Sequence, residues 1–251
     1  LPEAGIGEHV VSLSGETAGW IEAYARREGV TQSAVYQGAY MLLLSRLSGR
    51  SSMTIGVTRS GRAGERPGLE RAIGLYIRTL PLRSEMGAGD QLSDWLRDLQ
   101  AEQARQEEHG HLSLSEIQRC AGGASLFETL FVYENYPVDA QSGRIASDIE
   151  ITDIKGHDAT HYALTLAVMP GASTRLRFTF DRSRLDQETV GDLSDRYARL
   201  VEELAQAAPE ARVGEIRDLS PQEREEVLYA FNATQQAIPV TTLADLFAAQ
   251  V

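Results

Sequence analysis

The sequence predicts an α/β fold in which helices pack on a β-sheet. Two apolar runs rich in β-prone residues, at 53–57 and 73–82, are bounded by glycine and proline, as buried strands are. Segments with apolar residues at helical spacing precede and follow these runs. Because such helices must bury their apolar faces, the two runs are expected to supply the sheet on which they pack.

The helices are predicted from periodicity and from residues that cap helix ends. Long helices are expected at 15–28, 32–47, 91–108 and 187–208, and a short one at 113–121. Ser14 or Gly15, Thr31 and Asp90 are the expected N-caps of the first three. The second helix is apolar on nearly all sides, which indicates a helix that is buried around most of its circumference.

Further strands are predicted where apolar and polar residues alternate or apolar residues cluster. These segments are residues 9–13, 126–133, 149–154, 161–168 and 175–180. Residues 169–172, with the sequence MPGA, are expected to form the turn between the last two strands.

Composition and charge exclude several classes of function. The 251 residues are 42% hydrophobic and 24% charged, which is typical of a folded protein. The net charge of −12 argues against a nucleic-acid partner, because phosphate binding requires an excess of Lys and Arg. No apolar run approaches the roughly 20 residues of a membrane helix, and no signal peptide is evident, so no membrane partner is expected.

Cys120 is the single cysteine, which excludes an internal disulfide. A lone thiol fits a reducing cytoplasm, so a cytoplasmic location is expected. Because no histidine accompanies it in a recognised pattern, Cys120 is predicted to be an inert, partly buried thiol.

The histidines offer little support for a catalytic or metal site. His109 and His111 lack the i, i+4 spacing of a helical metal pair, so a solvated helix end is expected and no metal ligand is assigned. His157 and Asp158 precede His161 in a short loop, where a structural role is favoured over a His–acid pair. The run around Ser60 is not the G-x-S-x-G of a nucleophile elbow.

Several runs resemble the C-terminal lobe of a condensation domain of nonribosomal peptide synthetases. They are SGR, PGLE and IGLYIRTLPLR in the central stretch, GVTQSAVYQGAYMLLLSRLSGR before it, and LSLSEIQR, LFETLFVYENYP, THYALTLAVMPG and LRFTFD after it. One residue departs from the pattern, because Arg78 stands where the family usually has asparagine. At the end, FNATQQAIPVTTLADLFAAQV resembles the linker to an adenylation domain and that domain's first helix.

The resemblance implies a fold and a division of the chain. The fold is the chloramphenicol acetyltransferase-like lobe, with helices packed on a mixed β-sheet. The expected divisions are residues 1–208 for the lobe, 209–238 for the condensation–adenylation linker and 239–251 for the first helix of the adenylation domain. The opening Leu1-Pro2 leads us to expect a chain cut from a longer protein.

The resemblance also implies an activity for the intact protein. Condensation domains form an amide between two aminoacyl or peptidyl thioesters carried on phosphopantetheine arms of carrier proteins. The catalytic HHxxxDG motif belongs to the family's N-terminal lobe and does not occur in these 251 residues. The chain alone is therefore expected to be inactive and to bind no cofactor directly. Its expected partners are an N-terminal condensation lobe, an adenylation domain and carrier proteins.

A non-catalytic platform for a carrier protein or a partner enzyme is the alternative function, and the unusual Arg78 favours it. No catalytic residue is assigned. Eight residues are candidates for lining the substrate tunnel or the junction between the lobes: Ser60, Arg62, Tyr76, Arg78, Thr79, Tyr133, Glu134 and Asn135.

Two of these candidates carry open alternatives. Arg62 is either a residue that bridges the lobes or a solvated loop residue. Strand alternation predicts that Ile73, Leu75 and Ile77 share one face and that Tyr76 and Arg78 share the other. If the first face packs on the helices, Tyr76 and Arg78 face the junction. A guanidinium there requires an acidic partner, a substrate or water, because an unpaired buried charge is costly. The alternative is that Arg78 points outward as an ordinary surface residue.

Overall fold

The computed structural model contains two compact units, Leu1–Asp218 and Leu219–Val251. The structure describes residues 5–60, 73–74, 76–134, 144–146, 149–150, 160–171, 173–235 and 242–250. Arg62 and Asn135 lie outside these residues, as do Leu75, His157 and Asp158. Among the described residues, no helix is long and apolar enough to cross a membrane.

A mixed six-stranded sheet forms the centre of the first unit, so the predicted α/β class is confirmed. Its strands are β1 (Ile6–Ser12), β2 (Ser52–Ser60), β3 (Ile77–Glu85), β4 (Thr129–Tyr133), β7 (Leu164–Met169) and β8 (Arg175–Asp181). Their spatial order is β1-β8-β7-β4-β2-β3. The strands β2, β4 and β7 run parallel, and the other pairs are antiparallel. The strands β5 (Arg144–Ala146) and β6 (Ile149–Glu150) form a separate antiparallel pair.

Five α-helices accompany the sheet in the described part of the first unit. They are α1 (Gly15–Glu28), α2 (Gln32–Ser48), α3 (Leu92–Glu108), α4 (Leu114–Cys120) and α5 (Gln187–Ala205). The predicted caps Ser14 and Thr31 accept hydrogen bonds from the backbone N–H groups of Thr17 and Ala34.

The Asp90 cap was predicted wrongly. The helix α3 begins one residue later, with Gln91 at its N-cap position and no side-chain cap. The Asp90 carboxylate instead accepts a hydrogen bond of 2.6 Å from the N–H of Gly87, which closes the turn before the helix. The sequence identified the helix but not which of two adjacent polar residues begins it.

The core lies between one face of the sheet and the helices α1, α2, α3 and α5. The strand β7 shows the alternation, since Leu164, Leu166 and Val168 enter this core and the residues between them point to the opposite face. The helix α2 is the most enclosed, as its nearly all-round apolar sequence predicts. Its residues Tyr36, Tyr40, Met41 and Leu43 are at most 1% exposed.

The predicted orientation of the third strand was wrong. The strand begins at Ile77, and Ile73 before it is fully exposed. Leu80 and Leu82 are the buried residues of β3, and they lie opposite Val57 and Ile55 of β2. Side chains alternate along a strand, so Arg78 belongs to the same face as these leucines and points toward the helices.

Cys120 also differs from its prediction, because the last residue of α4 is exposed rather than partly buried. The helix has seven residues and contains no buried one, so it holds its cysteine at the surface.

The second unit is built from short helical segments. Ser220 caps α6 (Pro221–Glu225) through a reciprocal pair of bonds with Glu223, and a π-helical turn, Glu226–Ala230, continues it. Thr242 caps α7 (Leu243–Ala248) with Asp245 in the same way. Leu243 and Phe247 of α7 are exposed.

Candidate functional site

A cleft of about 1150 Å³ opens at the edge of the sheet where the three parallel strands end. The end of β2 contributes Thr58, Arg59 and Ser60, and the end of β4 contributes Tyr133. Residues 170–171 line it directly after β7. The carboxyl ends of parallel strands are the usual position of ligand sites in open α/β sheets, so this cleft is the candidate site.

Two helices begin at the cleft and a third crosses it. The first turns of α1 and α2 line it, and the C-terminal half of α3 closes one wall. The backbone N–H of Thr31, at the start of α2, donates to Oε1 of Gln100 on α3 over 2.7 Å. This bond fixes the start of α2 against the wall formed by α3.

A continuous chain of hydrogen bonds runs along the cleft wall. Nη2 of Arg59 donates to Oε1 of Gln103 over 2.6 Å, and Nε2 of Gln103 donates to Oε1 of Gln37. Nε2 of Gln37 then donates to Oγ of Ser33 over 3.1 Å. Gln37 and Gln103 are almost fully buried, so these bonds satisfy amides that would otherwise be costly to bury.

Two guanidinium groups share one carboxylate at the end of this chain. Glu107 of α3 lies 3.6 Å from Nε of Arg59 and 3.0 Å from Nη2 of Arg78. Arg78 also donates through Nη1 to the carbonyl of Gly110, just beyond the helix end. Burial lowers the pKa of Arg59 from its usual value, and the charge of Glu107 opposes this effect.

Tyr133 forms the part of the wall next to β4. Its hydroxyl donates to Oε1 of Gln32 over 3.5 Å, and its ring centroid lies 6.1 Å from that of Tyr36. Burial, and to a smaller extent Tyr36, raises the pKa of Tyr133 to about 12. The phenol is therefore a neutral hydrogen-bonding group at neutral pH.

The structure brings some predicted tunnel residues together and separates others. Ser60 and Tyr133 both line the cleft. Arg78 does not line it, but its guanidinium contacts the lining residue Glu107. Tyr76 precedes β3 and is partly buried. Thr79 is paired with Thr58 across β2 and β3 and lies on the face opposite to Arg78.

Glu134 is separated from the cleft. Its carboxylate forms an ion pair of 3.0 Å with Arg177. Arg177 lies between Leu176 and Phe178, which enter the core, so alternation places this ion pair on the opposite face of the sheet. Glu134 therefore has a structural partner rather than a position in the cleft wall.

Sequence reasoning missed the polar residues that dominate the wall: Arg59, Gln37, Gln103 and Glu107. Two signals were available. Gln37 is a polar residue inside a helix that is otherwise apolar on nearly all sides. On α3 the inward stripe of Leu92, Trp95, Leu96 and Leu99 continues at helical spacing with Gln103 and Glu107.

The cleft is equipped to bind and orient a ligand, and its lining offers no group suited to transferring protons. Among its described lining residues none is a histidine or cysteine. Of the two lining carboxylates, Glu107 is held by two guanidinium groups and Glu22 is paired with Arg26. In the same part of the chain, no group of three or more His, Cys, Asp or Glu side chains is placed to hold a metal ion. His109 and His111 are exposed beyond the end of α3.

The comparisons with known proteins agree on one family. The model of the family described as "Condensation domain" matches residues 6–228. Chondramide synthase cmdD of Chondromyces crocatus is 41% identical over 232 residues, which is 90% of this chain and 6% of that protein. The chain thus spans a small part of this relative.

Two solved structures share the fold. The first condensation domain of the CDA synthetase superposes with a TM-score of 0.71 at 19% identity, covering 87% of this chain and 49% of that one. The X-domain in complex with OxyB from teicoplanin biosynthesis gives 0.70 at 17% identity, covering 88% and 50%. These likenesses confirm the predicted chloramphenicol acetyltransferase-like fold.

Proposed function

Since this chain belongs to the condensation-domain family of nonribosomal peptide synthetases, we propose that in its parent protein it forms one wall of an amide-forming site. The cleft at the ends of β2, β4 and β7 is the observation that carries this proposal. Its volume of about 1150 Å³ is slightly above the usual range for small-molecule sites, which suits two long, narrow thioester arms.

The reaction proposed for the parent joins two carrier-bound groups. The amine nitrogen of the acceptor attacks the thioester carbonyl of the donor, so a C–N bond forms and the C–S bond breaks. The amine loses a proton, and the departing thiolate gains one. A general base within hydrogen-bond reach of the amine assists this step. We assign that base to the HHxxxDG motif of an N-terminal lobe, since the cleft lining described above supplies none.

The residues of this chain would bind and orient the arms. Amide and hydroxyl groups of Gln32, Ser33 and Tyr133 lie along the wall, where they can meet the amides of a phosphopantetheine arm. Holding donor and acceptor in a reactive arrangement reduces the entropic part of the barrier. The phosphopantetheine groups belong to the carrier proteins, so the chain itself needs no resident cofactor.

The proposal extends to the neighbouring domains. Carrier proteins and an N-terminal condensation lobe are the partners at the cleft. We assign residues 209–238 to a condensation–adenylation linker and 239–251 to the first helix of an adenylation domain. The exposed Leu243 and Phe247 of α7 support this assignment, because an apolar helix face of that kind is suited to packing on another domain. A cytoplasmic location accords with these partners.

A platform without catalytic activity is the second candidate function. It has a parallel in the X-domain, whose structure was solved in complex with OxyB. Arg78 favoured this alternative in the sequence, but its guanidinium is bound within the chain by Glu107 and the carbonyl of Gly110. Amide formation in the parent is therefore the function we favour.

Reconstitution tests the proposal. Two carrier proteins loaded with aminoacyl groups are mixed with the chain alone, or with the chain joined to an N-terminal lobe that carries HHxxxDG. We expect dipeptidyl thioester, detected by mass spectrometry of the acceptor carrier, only when the lobe is present. Replacing the second histidine of the motif by alanine is the control and should abolish the product. Product from the 251-residue chain alone would contradict the proposal, and so would a correctly folded two-lobe protein that forms none.

A further inference from the structure

The cluster of Arg59, Arg78 and Glu107 at the cleft carries two positive charges and one negative charge, although the protein as a whole carries −12. Glu22, the other charged residue among the described lining, is paired with Arg26. Arg59 and Arg78 lie directly opposite each other across β2 and β3, and Glu107 lies between their guanidinium groups. Within the described residues, no other carboxylate forms an ion pair with either arginine. Two positive charges therefore share one negative charge.

Burial makes this imbalance costly. The side chains of Arg59 and Glu107 are 23% and 31% exposed, and Nε of Arg78 is buried without a hydrogen-bond partner among the described residues. Like charges on directly opposite residues of two strands are destabilising, and removal from water strengthens their repulsion. A second anion would balance the charges of this group.

Only one of the two arginines is placed to meet a ligand. Arg59 lines the cleft, whereas Arg78 does not. The amide of Gln103 accepts from Arg59 and donates to Gln37, so it fixes the direction of the Arg59 guanidinium. A guanidinium held in this way presents its remaining N–H groups in the planar arrangement that matches a carboxylate or phosphate.

We propose that the cleft contains a binding site for an oxyanion at Arg59, with Gln103 positioning the guanidinium. The identity of the ligand rests on the function proposed above. The oxyanion is either a carboxylate on an aminoacyl group or the phosphate of a phosphopantetheine arm. Arg59 is thus a specificity-determining residue in the first case and an anchor for the arm in the second.

Binding to the full 251-residue chain by isothermal titration calorimetry tests the site without any need for catalysis. Four probes are used, namely amide analogues of N-acetylglutamyl-pantetheine and N-acetylglutaminyl-pantetheine, each with and without the 4′-phosphate. The probes that carry the responsible anion are expected to bind at least about tenfold more tightly than neutral glutaminyl-pantetheine. A dependence on the glutamyl carboxylate identifies the aminoacyl group, and a dependence on the phosphate identifies the arm.

Three variants assign the effect to the cleft. Arg59→Gln should abolish the preference for anionic probes. Glu107→Gln removes the competing carboxylate and should strengthen anion binding several-fold. Arg83→Gln is the matched control, because this arginine is exposed on the same sheet. Its substitution should not change the affinity for any of the four probes.

The proposal is overturned if all four probes bind equally, or if the preference survives Arg59→Gln. Circular dichroism establishes whether Arg59→Gln is folded. If it is not, Glu107→Gln decides the matter, since unchanged or weaker anion binding in that variant contradicts the site. Because binding is measured directly, a failure here differs from a failure of amide formation: a chain that binds the anions but forms no amide after reconstitution keeps this site and loses the proposed function.

Discussion

Arg59 and Arg78 lie opposite each other on neighbouring strands and repel each other. The position of Glu107 determines how much of that repulsion is relieved. Glu107 accepts from Arg78 over 3.0 Å, and Arg78 also holds the carbonyl of Gly110. This second contact is close, since a Cβ on Gly110 would lie 2.8 Å from the guanidinium carbon. Arg78 thus ties the end of α3 to the edge strand β3 and positions Glu107 for Arg59.

Replacing Arg78 by asparagine, the usual family residue, tests this role. We expect Arg78→Asn to lower the free energy of unfolding by about 1 kcal/mol, because a charge-assisted pair is lost while the repulsion from Arg59 is relieved. Glu107 would then pair fully with Arg59. In the reconstituted two-lobe domain, the ratio of single-turnover rates with an acidic and a neutral acceptor should therefore change.

The control for this substitution is Arg83→Asn on the same strand, where the side chain is 66% exposed. Its effect on unfolding in denaturant should stay within about 0.5 kcal/mol. Identical unfolding curves and identical rate ratios for Arg78→Asn and the unaltered protein would show that Arg78 neither holds the helix end nor acts through Glu107.

Gly56 allows a second test at a single residue. It lies in β2, between β4 and the edge strand β3, and a Cβ there would lie 2.3 Å from the ring of buried Phe127. We expect Gly56→Ala to reduce stability by about 1–3 kcal/mol, because the aromatic ring must be displaced from its packed position. Thermal and denaturant unfolding measure the change.

A matched glycine provides the opposite expectation. Gly191 lies within α5, and, apart from its chain neighbours and the backbone of its own helix, no described atom lies within 4 Å of a Cβ placed there. Gly191→Ala should stabilise the protein by about 0.5–1 kcal/mol through helix propensity. Equal effects of the two substitutions would refute the argument from packing, and a smaller Phe127→Leu side chain should rescue Gly56→Ala.

Among the elements, α2 depends most on its neighbours because it is buried on nearly every side. Its carbonyl at Tyr36 accepts a 3.0 Å hydrogen bond from the hydroxyl of Tyr197 on α5. The Tyr197 ring also packs edge-on against Tyr40, with centroids 6.2 Å apart. One side chain therefore joins the two helices through both a polar and an aromatic contact.

Removing only the hydroxyl separates these contributions. We expect Tyr197→Phe to cost about 1 kcal/mol of stability, because the ring packing is kept while a buried hydrogen bond is lost. Denaturant unfolding provides the measurement, with Tyr229→Phe as the control, since Tyr229 is exposed. A cost in Tyr197→Phe no larger than that in the control would mean that the hydroxyl bond adds nothing to the packing.

The sequence predicted these elements better than it predicted their orientation. Periodicity and caps such as Thr31 identified the helices, because both signals are local along the chain. Alternation along β3 shows which residues share a face, but it does not show which face is buried. That depends on the pairing of β3 with β2. The sequence did not predict Glu107 as a site residue for a similar reason. Only the packing of α3 against the sheet places the last residue of its inward stripe beside Arg59.

At the scale of the whole molecule, buried tyrosines predict loss of stability at alkaline pH. Burial raises the pKa of Tyr24 and Tyr133 to about 12 from the usual 10.0, and it raises the pKa values of Tyr36, Tyr40 and Tyr197 as well. The folded state keeps its tyrosine protons where the unfolded chain releases them. The contribution of the protonated, buried tyrosines to the free energy of unfolding is therefore complete below pH 10, and it is lost as the pH rises toward about 12.

The expected outcome is cooperative unfolding within this range. Tyrosinate absorbance and far-ultraviolet circular dichroism should change together as the pH is raised, and returning the pH promptly should reverse both signals. Stepwise ionisation of the tyrosines while the helical signal stays intact would contradict the prediction.

Exposed apolar side chains lead us to expect that the chain self-associates as its concentration rises. In the second unit Leu243 and Phe247 are 87% and 73% exposed, and such surfaces favour association in water. In the first unit, Ile77 lies opposite Ser60 at the cleft edge and is half exposed, so this edge is the other apolar surface to test. Sedimentation velocity over a range of concentrations measures the association.

Two double variants locate the associating surface, Leu243→Ser with Phe247→Ser in α7, and Ile73→Ser with Ile77→Ser at the cleft edge. We expect the first to abolish most of the association and the second to reduce it only slightly, because Leu243 and Phe247 lie four residues apart on one helix and form a single apolar surface. Gln250→Ser, at a nearby exposed polar residue, should have no effect. A monomeric unaltered chain at high concentration would contradict the association itself, and loss of association only in the isoleucine variant would place it at the cleft edge instead.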